Sequence, residues 1–339
     1  MTAQTCAPET RQTNEPEEDR AMTTVLSTAS CTRRTIFDGM IARAAGLGAV
    51  PYAIVWPCEG HALAGAIEAA RHGVLEPVLV GDPALIASAA QEAGLSVASC
   101  RIVEAETPER AVQVAIGLVH SGEVQGLAKG SLHTDTLMHG VVAQESGLRT
   151  SRRMSHVFMV TVAGRTDPLF VTDAAINITP DLVTKQHIVQ NAIDLHHGLG
   201  YGAPRVAILS AVETINPRIQ GTLDAACLSK MAERGEITGA VLDGPLAMDG
   251  AVDPQAASIK KLTSPVAGRA QILVVPDLEA GNIVVKALSF LGQASSGGIV
   301  LGAKVPILLT SRADTIEARL DSAALCALYA RHLKSLSVA

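Results

Sequence analysis

Short apolar runs alternate with longer helical stretches along almost the whole chain. Ala53–Trp56, Pro77–Asp82 and Val206–Leu209 are such runs, and each is followed by a stretch with helical spacing. A short run of Val, Ile and Leu bounded by turn residues is typical of a buried strand. Parallel strands joined by helices need helices on both faces of their sheet. The alternation therefore predicts an α/β protein with mostly parallel strands.

The same pattern predicts further elements. The other strands are Val97–Val103, Gln125–Ala128, Val157–Val162, Leu169–Thr172, Ala240–Leu242, Ile272–Val275, Ile299–Leu301 and Val305–Leu309. The helices are Gly60–His72, Pro83–Ala93, Pro108–Ser121, Thr134–Ser146, Pro180–Leu199, Ile219–Arg234, Pro254–Leu262, Leu278–Gly292 and Asp314–His332. Since only a turn separates Val157–Val162 from Leu169–Thr172, these two strands are predicted to be antiparallel.

The number of strand–helix units bears on the domain organisation. About eight such units exceed what one sheet comfortably holds, and 339 residues are enough for two domains. The basic stretch Arg149–Arg153 lies where the pattern changes, and it is the predicted crossing between the domains. No internal repeat of fixed period is visible in the sequence.

Composition excludes several classes of function. Aromatic residues make up 2% of the chain and the formal net charge is −6, which argues against nucleic-acid binding. No apolar run reaches the ~20 residues of a membrane-spanning helix. The six cysteines are widely spaced without a C-x-x-C pair, so free thiols in a cytoplasmic protein are expected, not a zinc or iron–sulfur site. The polar start, up to about Ala29, predicts a disordered tail without a secretory signal.

Five predicted strand ends carry polar side chains that a purely structural loop would not need. They begin at Lys129, Thr172, Ser210, Asp243 and Pro276. Ligands of open α/β sheets bind at the carboxyl edge of the strands, so five polar ends at one edge favour a long cleft. Asp173 and Asn177, in the second of these loops, could bind a ligand or could make side-chain turns. Asp243, in the fourth, is a further candidate for ligand binding.

The Lys129 loop combines a cation with hydroxyl groups. Lys129 offers a positive charge, Ser131 and Thr134 offer hydroxyls, and Gly130 lets the backbone approach a ligand. The alternative is a simple helix start, with Thr134 or Asp135 as N-cap and Lys129 in solvent. The loop is not a Walker loop, because the G-x-x-x-x-G-K-[ST] pattern is absent.

The last predicted strand ends in Thr310, Ser311 and Arg312, and a helix follows. Hydroxyls, backbone N–H groups at a helix start and a guanidinium suit a phosphate oxyanion. The alternative is a capping box, in which the Ser311 hydroxyl bonds a backbone N–H, Asp314 reaches back and Glu317 complements the helix dipole. Arg312 favours the anion site, because a cation at the positive end of a helix makes sense when an anion lies between the two.

At these loops the chain resembles the phosphate acetyl/butyryltransferase family. The matching runs are Lys129–Asp135, Thr172–Asn177, Gln190–Ala192, Ser210–Glu213, Asp243–Leu246, Pro276–Asn282 and Thr310–Asp314. The likeness covers about Cys31 to the end of the chain. Within the family, it is greatest with the acyltransferase half of enoyl-CoA hydratase/phosphate acetyltransferase proteins.

The resemblance implies a two-domain α/β/α fold similar to that of isocitrate and isopropylmalate dehydrogenases, with a cleft between the domains. The last strand and helix of that fold return to the first domain. Residues 1–30 are then a disordered tail, residues 31–150 and 304–339 form domain I, and residues 151–303 form domain II. Family members are typically homodimers.

The resemblance also implies a reaction, in which acyl-CoA and phosphate are reversibly converted to acyl phosphate and CoA. The acyl group is short, acetyl or butyryl, CoA is a substrate, and neither a cofactor nor a metal is expected. The implied mechanism is direct attack by the CoA thiolate, with Arg312 neutralising the phosphate charge and Ser311 donating to the developing oxyanion. The implied substrate-binding residues are Lys129, Gly130, Ser131, Thr134, Asn177, Asp243 and Thr310.

Two positions depart from the family pattern. Well-studied members carry an arginine in the helix after the Lys–Gly loop, where this chain has Met138, and their proposed thiol base corresponds to Ala318. Asp314 and Glu317 are the neighbouring carboxylates that could act as the base. The cations that could meet the phosphate charge instead are Lys129, Arg152 and Arg153.

Two other functions stay open on the sequence alone. One is a metal- and NAD-dependent decarboxylating dehydrogenase of the same fold, for which Asp243 and Asp249 are the candidate metal ligands. The other is a non-catalytic relative that only binds acyl phosphate or CoA. Turnover of an acyl phosphate with CoA distinguishes the first hypothesis from both.

Overall fold

The computed structural model describes residues 34–311 and 313–338, so the predicted tail (residues 1–30) and Arg312 lie outside the described residues. The strands are β1 (Val50–Val55), β2 (Leu75–Gly81), β3 (Arg101–Glu104), β4 (Leu127–Lys129), β5 (Ser155–Thr161), β6 (Leu169–Thr172), β7 (Arg205–Leu209), β8 (Val241–Leu246), β9 (Ile272–Val274), β10 (Ser295–Leu301) and β11 (Ile307–Leu308). The helices are α1 (34–46), α2 (Gly60–Arg71), α3 (Pro83–Glu92), α4 (Pro108–His120), α5 (Thr134–Val142), α6 (Leu182–Gly198), α7 (Gln220–Glu233), α8 (Met248–Val252), α9 (Pro254–Ile259), α10 (Leu278–Lys286) and α11 (Ile316–Val338).

All of these strands form one mixed sheet in the order β3-β2-β1-β4-β11-β10-β5-β6-β9-β7-β8. β1 is parallel to β2 and β4, and β7 is parallel to β8 and β9. Between these groups, β10 is antiparallel to both β11 and β5, and β5 is antiparallel to β6, as predicted. The expectation that the units exceed one sheet is wrong, because β10 and β5 pair along their whole lengths and join the two parallel groups.

β10 and β5 divide the sheet into two halves, β3-β2-β1-β4-β11 and β6-β9-β7-β8. Each half contains one strand that comes from the other half of the chain. β11 lies beside β4, and β6 lies beside β9, both in parallel. The strands β1, β2, β4, β5 and β6 correspond, in this order, to β7, β8, β9, β10 and β11. Corresponding strands have corresponding neighbours and relative directions in the sheet, and β3 is an additional strand at one edge. The chain therefore repeats its topology without a visible repeat in its sequence. The domain boundaries at residues 150 and 304 stay a prediction.

Helices cover both faces of the sheet, which confirms the predicted α/β architecture. On one face a single hydrophobic cluster runs across both halves, and it includes Phe37 on α1, Leu63 on α2, Val189 on α6, Leu228 on α7 and Leu325 on α11. On the other face, one cluster lies under α4 and α5 and another under α8, α9 and α10. Within residues 34–311 and 313–338, no helix is both long enough and apolar enough to cross a membrane.

Most predicted elements are present, and the differences at their ends have local causes. β6 has the predicted bounds, whereas α1 and the short α8 have no counterpart among the predicted elements. Asp181 caps α6, so Pro180 lies before that helix and not in its first turn. α11 begins at Ile316 instead of Asp314, and Thr315 just before it accepts the N–H group of Ala318, the third residue of the helix, as an N-cap does.

Candidate active site

The carboxyl ends of β1, β4 and β11 meet at one edge of the sheet, which we call the first edge. The three strands are parallel, so the residues that follow them lie side by side. Lys129, at the end of β4, and Thr310, just after β11, line the same small cavity. The structure thus brings together the Lys129 loop and the Thr310–Asp314 loop.

Lys129 and Ser131 place polar groups at the first edge. Lys129 is half-buried, and its Nζ donates to the carbonyl oxygens of Gly130 and Leu132, each at 3.4 Å. Ser131 Oγ is buried and has no hydrogen-bond partner among the described residues. The loop therefore contributes a partly buried cation and an unsatisfied hydroxyl.

The helix after this loop is not capped by a side chain. α5 begins at Thr134, and His133 occupies the N-cap position without a side-chain hydrogen bond. The alternative in which Thr134 or Asp135 caps the helix is therefore wrong. Thr134 is half-buried in the first turn, directly after the loop.

Gly130 is explained by packing between loops. A Cβ atom at this position would lie 2.4 Å from Val55 O and 2.6 Å from Trp56 O. The backbone of the loop is also tied to the end of β1, since Gly130 N donates to Val55 O at 2.9 Å and Ser131 N donates to Trp56 O at 2.8 Å. The glycine thus allows β1 and the Lys129 loop to touch, and its N–H group is already used.

The Thr310–Asp314 loop closes on itself before α11 begins. Asp314 Oδ2 accepts the Ser311 N–H at 2.6 Å, and Ser311 Oγ accepts the Ala313 N–H at 3.3 Å. These reciprocal bonds are those of the predicted capping box, but Thr315 caps the helix. The bonds of the predicted capping box are therefore confirmed, but they lie before α11 and shape the turn that carries Ser311.

Arg319, which the motifs do not indicate, supports this loop. Its Nη1 donates to Thr310 Oγ1 at 3.0 Å, its Nη2 to Ser311 O at 2.7 Å and its Nε to Asp314 O at 3.3 Å. The sequence signal for this role is weak, since it consists only of a charged residue in the helix that follows a predicted anion-binding loop. The predicted phosphate ligand Arg312 lies outside the described residues, so its role stays a prediction.

The cavity under the two loops has a volume of about 30 Å³. Its polar lining comes from Lys129, Thr310 and Arg319, and the rest is apolar. That volume can hold a water molecule but no organic ligand. Ser311 lies on the solvent side of these loops, where it is exposed.

The two candidate carboxylates after Ser311 differ in their surroundings. Burial raises the pKa of Asp314, while the bond from Ser311 N and the charges of Arg319 and Lys129 act in the opposite direction. Glu317 is exposed, and hydrogen bonding, chiefly from its own backbone N–H, lowers its pKa. Asp314 thus faces the cations of the first edge, and a carboxylate with a raised pKa is the better proton acceptor.

The strand ends after β6, β7, β8 and β9 lie at the opposite edge of the sheet, which we call the second edge. β6 is antiparallel to β5, β5 to β10, and β10 to β11, so β6 and its parallel neighbours run opposite to β11. The prediction that five polar strand ends face one edge is therefore wrong. Only the Lys129 end, among those five, joins the Thr310 loop.

Asn177 and Asp243 consequently lie apart from Lys129 and Ser311 within one chain. Asn177 Nδ2 donates to Asp173 Oδ2 at 2.6 Å and so holds the loop after β6. Asp243 lies in β8, which is six strands away from β11, or about 29 Å at the usual strand spacing. The binding roles of Asn177 and Asp243 stay predictions that the geometry of the first edge does not support.

Arg152 and Arg153 also lie far from Ser311. They precede β5, which runs parallel to β11, so they lie at the second edge. Arg152 is paired with Asp194 at 3.3 Å. Of the three cations named as alternatives, Lys129 is the one that lies at the first edge.

Asp249, a candidate metal ligand, is engaged in an ion pair. Lys260 Nζ lies 2.8 Å from Asp249 Oδ1 and 2.7 Å from Glu213 Oε1. Across residues 34–311 and 313–338, no group of three or more His, Cys, Asp or Glu side chains is placed to hold a metal ion. Asp243 and Asp249 therefore do not form the converging cluster that the dehydrogenase hypothesis needs.

Solved structures that are similar to this chain include phosphotransacylases. A branched-chain phosphotransacylase from Enterococcus faecalis V583 has a TM-score of 0.74 and 29% identity, covering 84% of this chain and 99% of that protein. A phosphate acetyltransferase from Rhizobium meliloti is 54% identical over 303 residues, 89% of this chain and 96% of its own length. A phosphate butyryltransferase from Clostridium beijerinckii is 38% identical over 88% of this chain and 99% of its own length.

The phosphate acetyl/butaryl transferase family model matches residues 109–327, more than half of the chain. The chain belongs to this family. The resemblance drawn from the loop motifs is thereby confirmed. Both loops of the first edge lie within the matched region.

Proposed function

We propose that this protein is a phosphate acyltransferase, which transfers a short acyl group, acetyl or butyryl, reversibly between CoA and inorganic phosphate. The observation that carries the proposal is the meeting of Lys129, Thr310, Ser311 and Asp314 at the first edge. A cation and hydroxyls suit a phosphate, and a carboxylate suits a thiol proton. Membership of the family supports the same activity.

The reaction needs positioning and charge stabilisation. In the direction of acyl-CoA formation, the CoA thiol gives its proton to a base and the sulfur attacks the carbonyl carbon. The bond between that carbon and the phosphate oxygen then breaks, and phosphate leaves with the electron pair. The protein contributes by aligning the two substrates and stabilising the negative charge that develops.

The residues of the first edge fit these tasks. Asp314 takes the thiol proton, because burial makes its carboxylate more basic and it lies near the reacting groups. Ser311 Oγ accepts the Ala313 N–H, a bond that leaves the hydroxyl proton available for the oxyanion. Lys129 and Arg312 meet the charge of the phosphate, and CoA acts as a substrate without a further cofactor.

We extend the proposal to the architecture: two domains with a cleft between them, as in isocitrate and isopropylmalate dehydrogenases. The two groups of parallel strands on either side of β5 and β10 support this division. The position of β11 beside β4 supports the return of residues 304–339 to domain I.

We also propose a cytoplasmic homodimer. Exposed apolar residues on and just after α10 support the dimer: Ile283 is 66% exposed and Phe290 71%. Such residues on one helix surface are typical of a protein interface. A monomer mass by light scattering at micromolar concentration would contradict the dimer.

The activity is tested by mixing the protein with CoA and acyl phosphates of increasing chain length, and following thioester absorbance. We expect turnover with acetyl or butyryl phosphate. Arg312→Ala should lower kcat by about a hundredfold or more, since it removes charge stabilisation in the transition state. Arg71→Ala, at an exposed arginine of α2, is the matched control and should stay within about threefold of wild type.

Other outcomes identify the alternatives. CoA binding without turnover of any short acyl phosphate supports the non-catalytic relative. NAD reduction with a 2-hydroxy acid supports the dehydrogenase, which the relatives do not favour. An Arg312→Ala rate within about threefold of wild type removes Arg312 from the mechanism.

A further inference from the structure

Arg319 is a buried cation whose hydrogen bonds all go to one loop. The residue is 7% exposed. Its three acceptors, Thr310 Oγ1, Ser311 O and Asp314 O, are a hydroxyl and two carbonyls, and none is a carboxylate oxygen. Burying a guanidinium on neutral acceptors costs free energy, which the negative charge of nearby Asp314 offsets only in part. The position of Arg319 therefore calls for an explanation beyond packing.

The neighbouring helix is shaped to receive this side chain. A Cβ atom at Gly65 of α2 would lie 2.9 Å from Cδ of Arg319 and 3.3 Å from its Cβ. Ala62 and Ala66, also on α2, line the same cavity as Arg319. Small residues on α2 thus leave a channel through which the arginine stem reaches the loop.

The three bonds span the loop that carries the reacting groups. They hold the chain on both sides of Ser311, from Thr310 to Asp314. Because a guanidinium is planar and rigid, three bonds to it fix the relative positions of their acceptors. The loop geometry is thus set by a residue of α11 and not by the loop alone.

We propose that Arg319 is a positioning residue for acyl transfer, which holds the Thr310–Asp314 loop in the geometry that presents Ser311 and Asp314 to the substrates. The proposal rests on the phosphate acyltransferase function proposed above. Arg319 has a second effect through its charge. Together with Lys129 it stabilises the ionised form of Asp314, against the effect of burial.

The test compares Arg319→Lys, Arg319→Met and the matched control Arg331→Lys. Arg331 lies on the same helix and donates to Gly48 O, away from the first edge. Lysine keeps the charge but lacks the planar fork, so we expect Arg319→Lys to lower kcat by about tenfold with KM changed by less than about threefold. Arg319→Met should lower kcat further, and Arg331→Lys should match wild type.

The pH profile of kcat distinguishes two roles of Arg319. If Arg319 acts on Asp314 through its charge as well as by positioning the loop, the profile changes when the charge is removed, whereas a merely structural role leaves it unchanged. Among the described residues, the groups that act on the pKa of Asp314 are Ser311 N, Arg319 and Lys129. Removing the positive charge of Arg319 raises the pKa of Asp314, so the acid limb of the profile should move to higher pH in Arg319→Met. In Arg319→Lys the limb should move less.

Gly65→Ala disturbs Arg319 without replacing it. Its Cβ would press on the arginine stem, while alanine is favourable in a helix, so the fold should be retained. We expect kcat to fall by about threefold or more with little change in KM. If Arg319→Met is insoluble, Arg319→Lys and Gly65→Ala decide the matter.

The outcomes distinguish this role from the function on which it rests. Active wild type, with Arg319→Lys and Gly65→Ala unchanged in kcat and in pH profile, overturns the role of Arg319 alone. A folded wild type that turns over no acyl phosphate overturns the acyltransferase function and this role with it.

Discussion

At the scale of single residues, burial sets the behaviour of several titratable side chains. Asp321 on α11 is 1% exposed, and burial raises its pKa to about 7 although Arg34 Nη1 lies 2.9 Å from Oδ2. Its Oδ1 atom is buried and has no partner among the described residues. Burial acts oppositely on His156, where it lowers the pKa to about 3. Asp321 therefore holds a proton over much of the acidic range, and His156 is neutral at pH 7.

Asp321→Asn should remove a pH dependence of stability. The folded pKa of about 7 lies above the unfolded value near 3.9, so the folded state binds more protons between these values. The free energy of unfolding of the wild type should therefore fall as pH rises from about 4 to about 7, by up to about 1.4 kcal/mol per pH unit. Above the folded pKa this dependence ends.

Denaturant unfolding at several pH values measures this slope. Asp321→Asn should lack it and should be more stable than wild type at pH 8. The control is Asp38→Asn, which changes the other, exposed carboxylate on Arg34. Because Asp38 raises the pKa of Asp321 less than burial does, this variant should keep most of the wild-type slope. Equal slopes in wild type and Asp321→Asn would show that Asp321 titrates normally.

At the scale of helices, strands and loops, local sequence signals account for most boundaries. Asp82, Thr107 and Asp277 each accept a backbone N–H group at the start of a helix, as N-cap residues do. In loops, the residue required at a position can depend on contacts with other segments of the chain instead of on local signals. Gly130 is the example: no local turn requires it, but the carbonyl oxygen of Val55 leaves no room for a side chain.

Gly130→Ala should disturb the Lys129 loop. Its Cβ would lie 2.4 Å from a backbone oxygen that cannot move away without shifting β1. We expect the free energy of unfolding to fall by about 1–3 kcal/mol, together with a loss of acyltransferase activity. Thermal melting and the thioester assay measure both effects.

Gly117→Ala is the matched control for this substitution. Gly117 lies within α4, and nothing lies within 4 Å of its would-be Cβ. Alanine there should raise the free energy of unfolding by up to about 1 kcal/mol. If Gly130→Ala is as stable and active as Gly117→Ala, the contact between Gly130 and the end of β1 does not constrain the loop.

At the scale of the whole molecule, the two halves of the sheet are bound together in three ways. β6 and β11 are exchanged between the halves, β5 and β10 pair along their lengths, and one hydrophobic cluster crosses both halves. Neither half can keep its own sheet complete if the other unfolds. We therefore expect the chain to unfold as one cooperative unit.

We expect one unfolding transition in urea. Trp56, the single tryptophan, follows β1 and reports on the first half, whereas far-UV circular dichroism reports on all helices. The two midpoints should coincide. A tryptophan transition that clearly precedes or follows the circular-dichroism transition would mean that the halves unfold separately.

The sequence by itself determined the α/β class and most of the strands and helices in their order, because these depend on local composition and spacing. Its loop motifs, compared with a known family, also indicated the family to which the chain belongs. The candidates Lys129, Ser311 and Asp314 were predicted from such local signals, since they lie at the end of β4 and just after β11.

Only the tertiary structure decided which of those loops meet. Strand direction depends on pairing between distant segments, and the antiparallel β5 and β10 send the ends of β6 to β9 to the second edge. The support of the site by Arg319 was likewise beyond the reach of local patterns. Its channel is made by Gly65, more than two hundred residues away along the chain, and contacts of that range exist only once the sheet has formed.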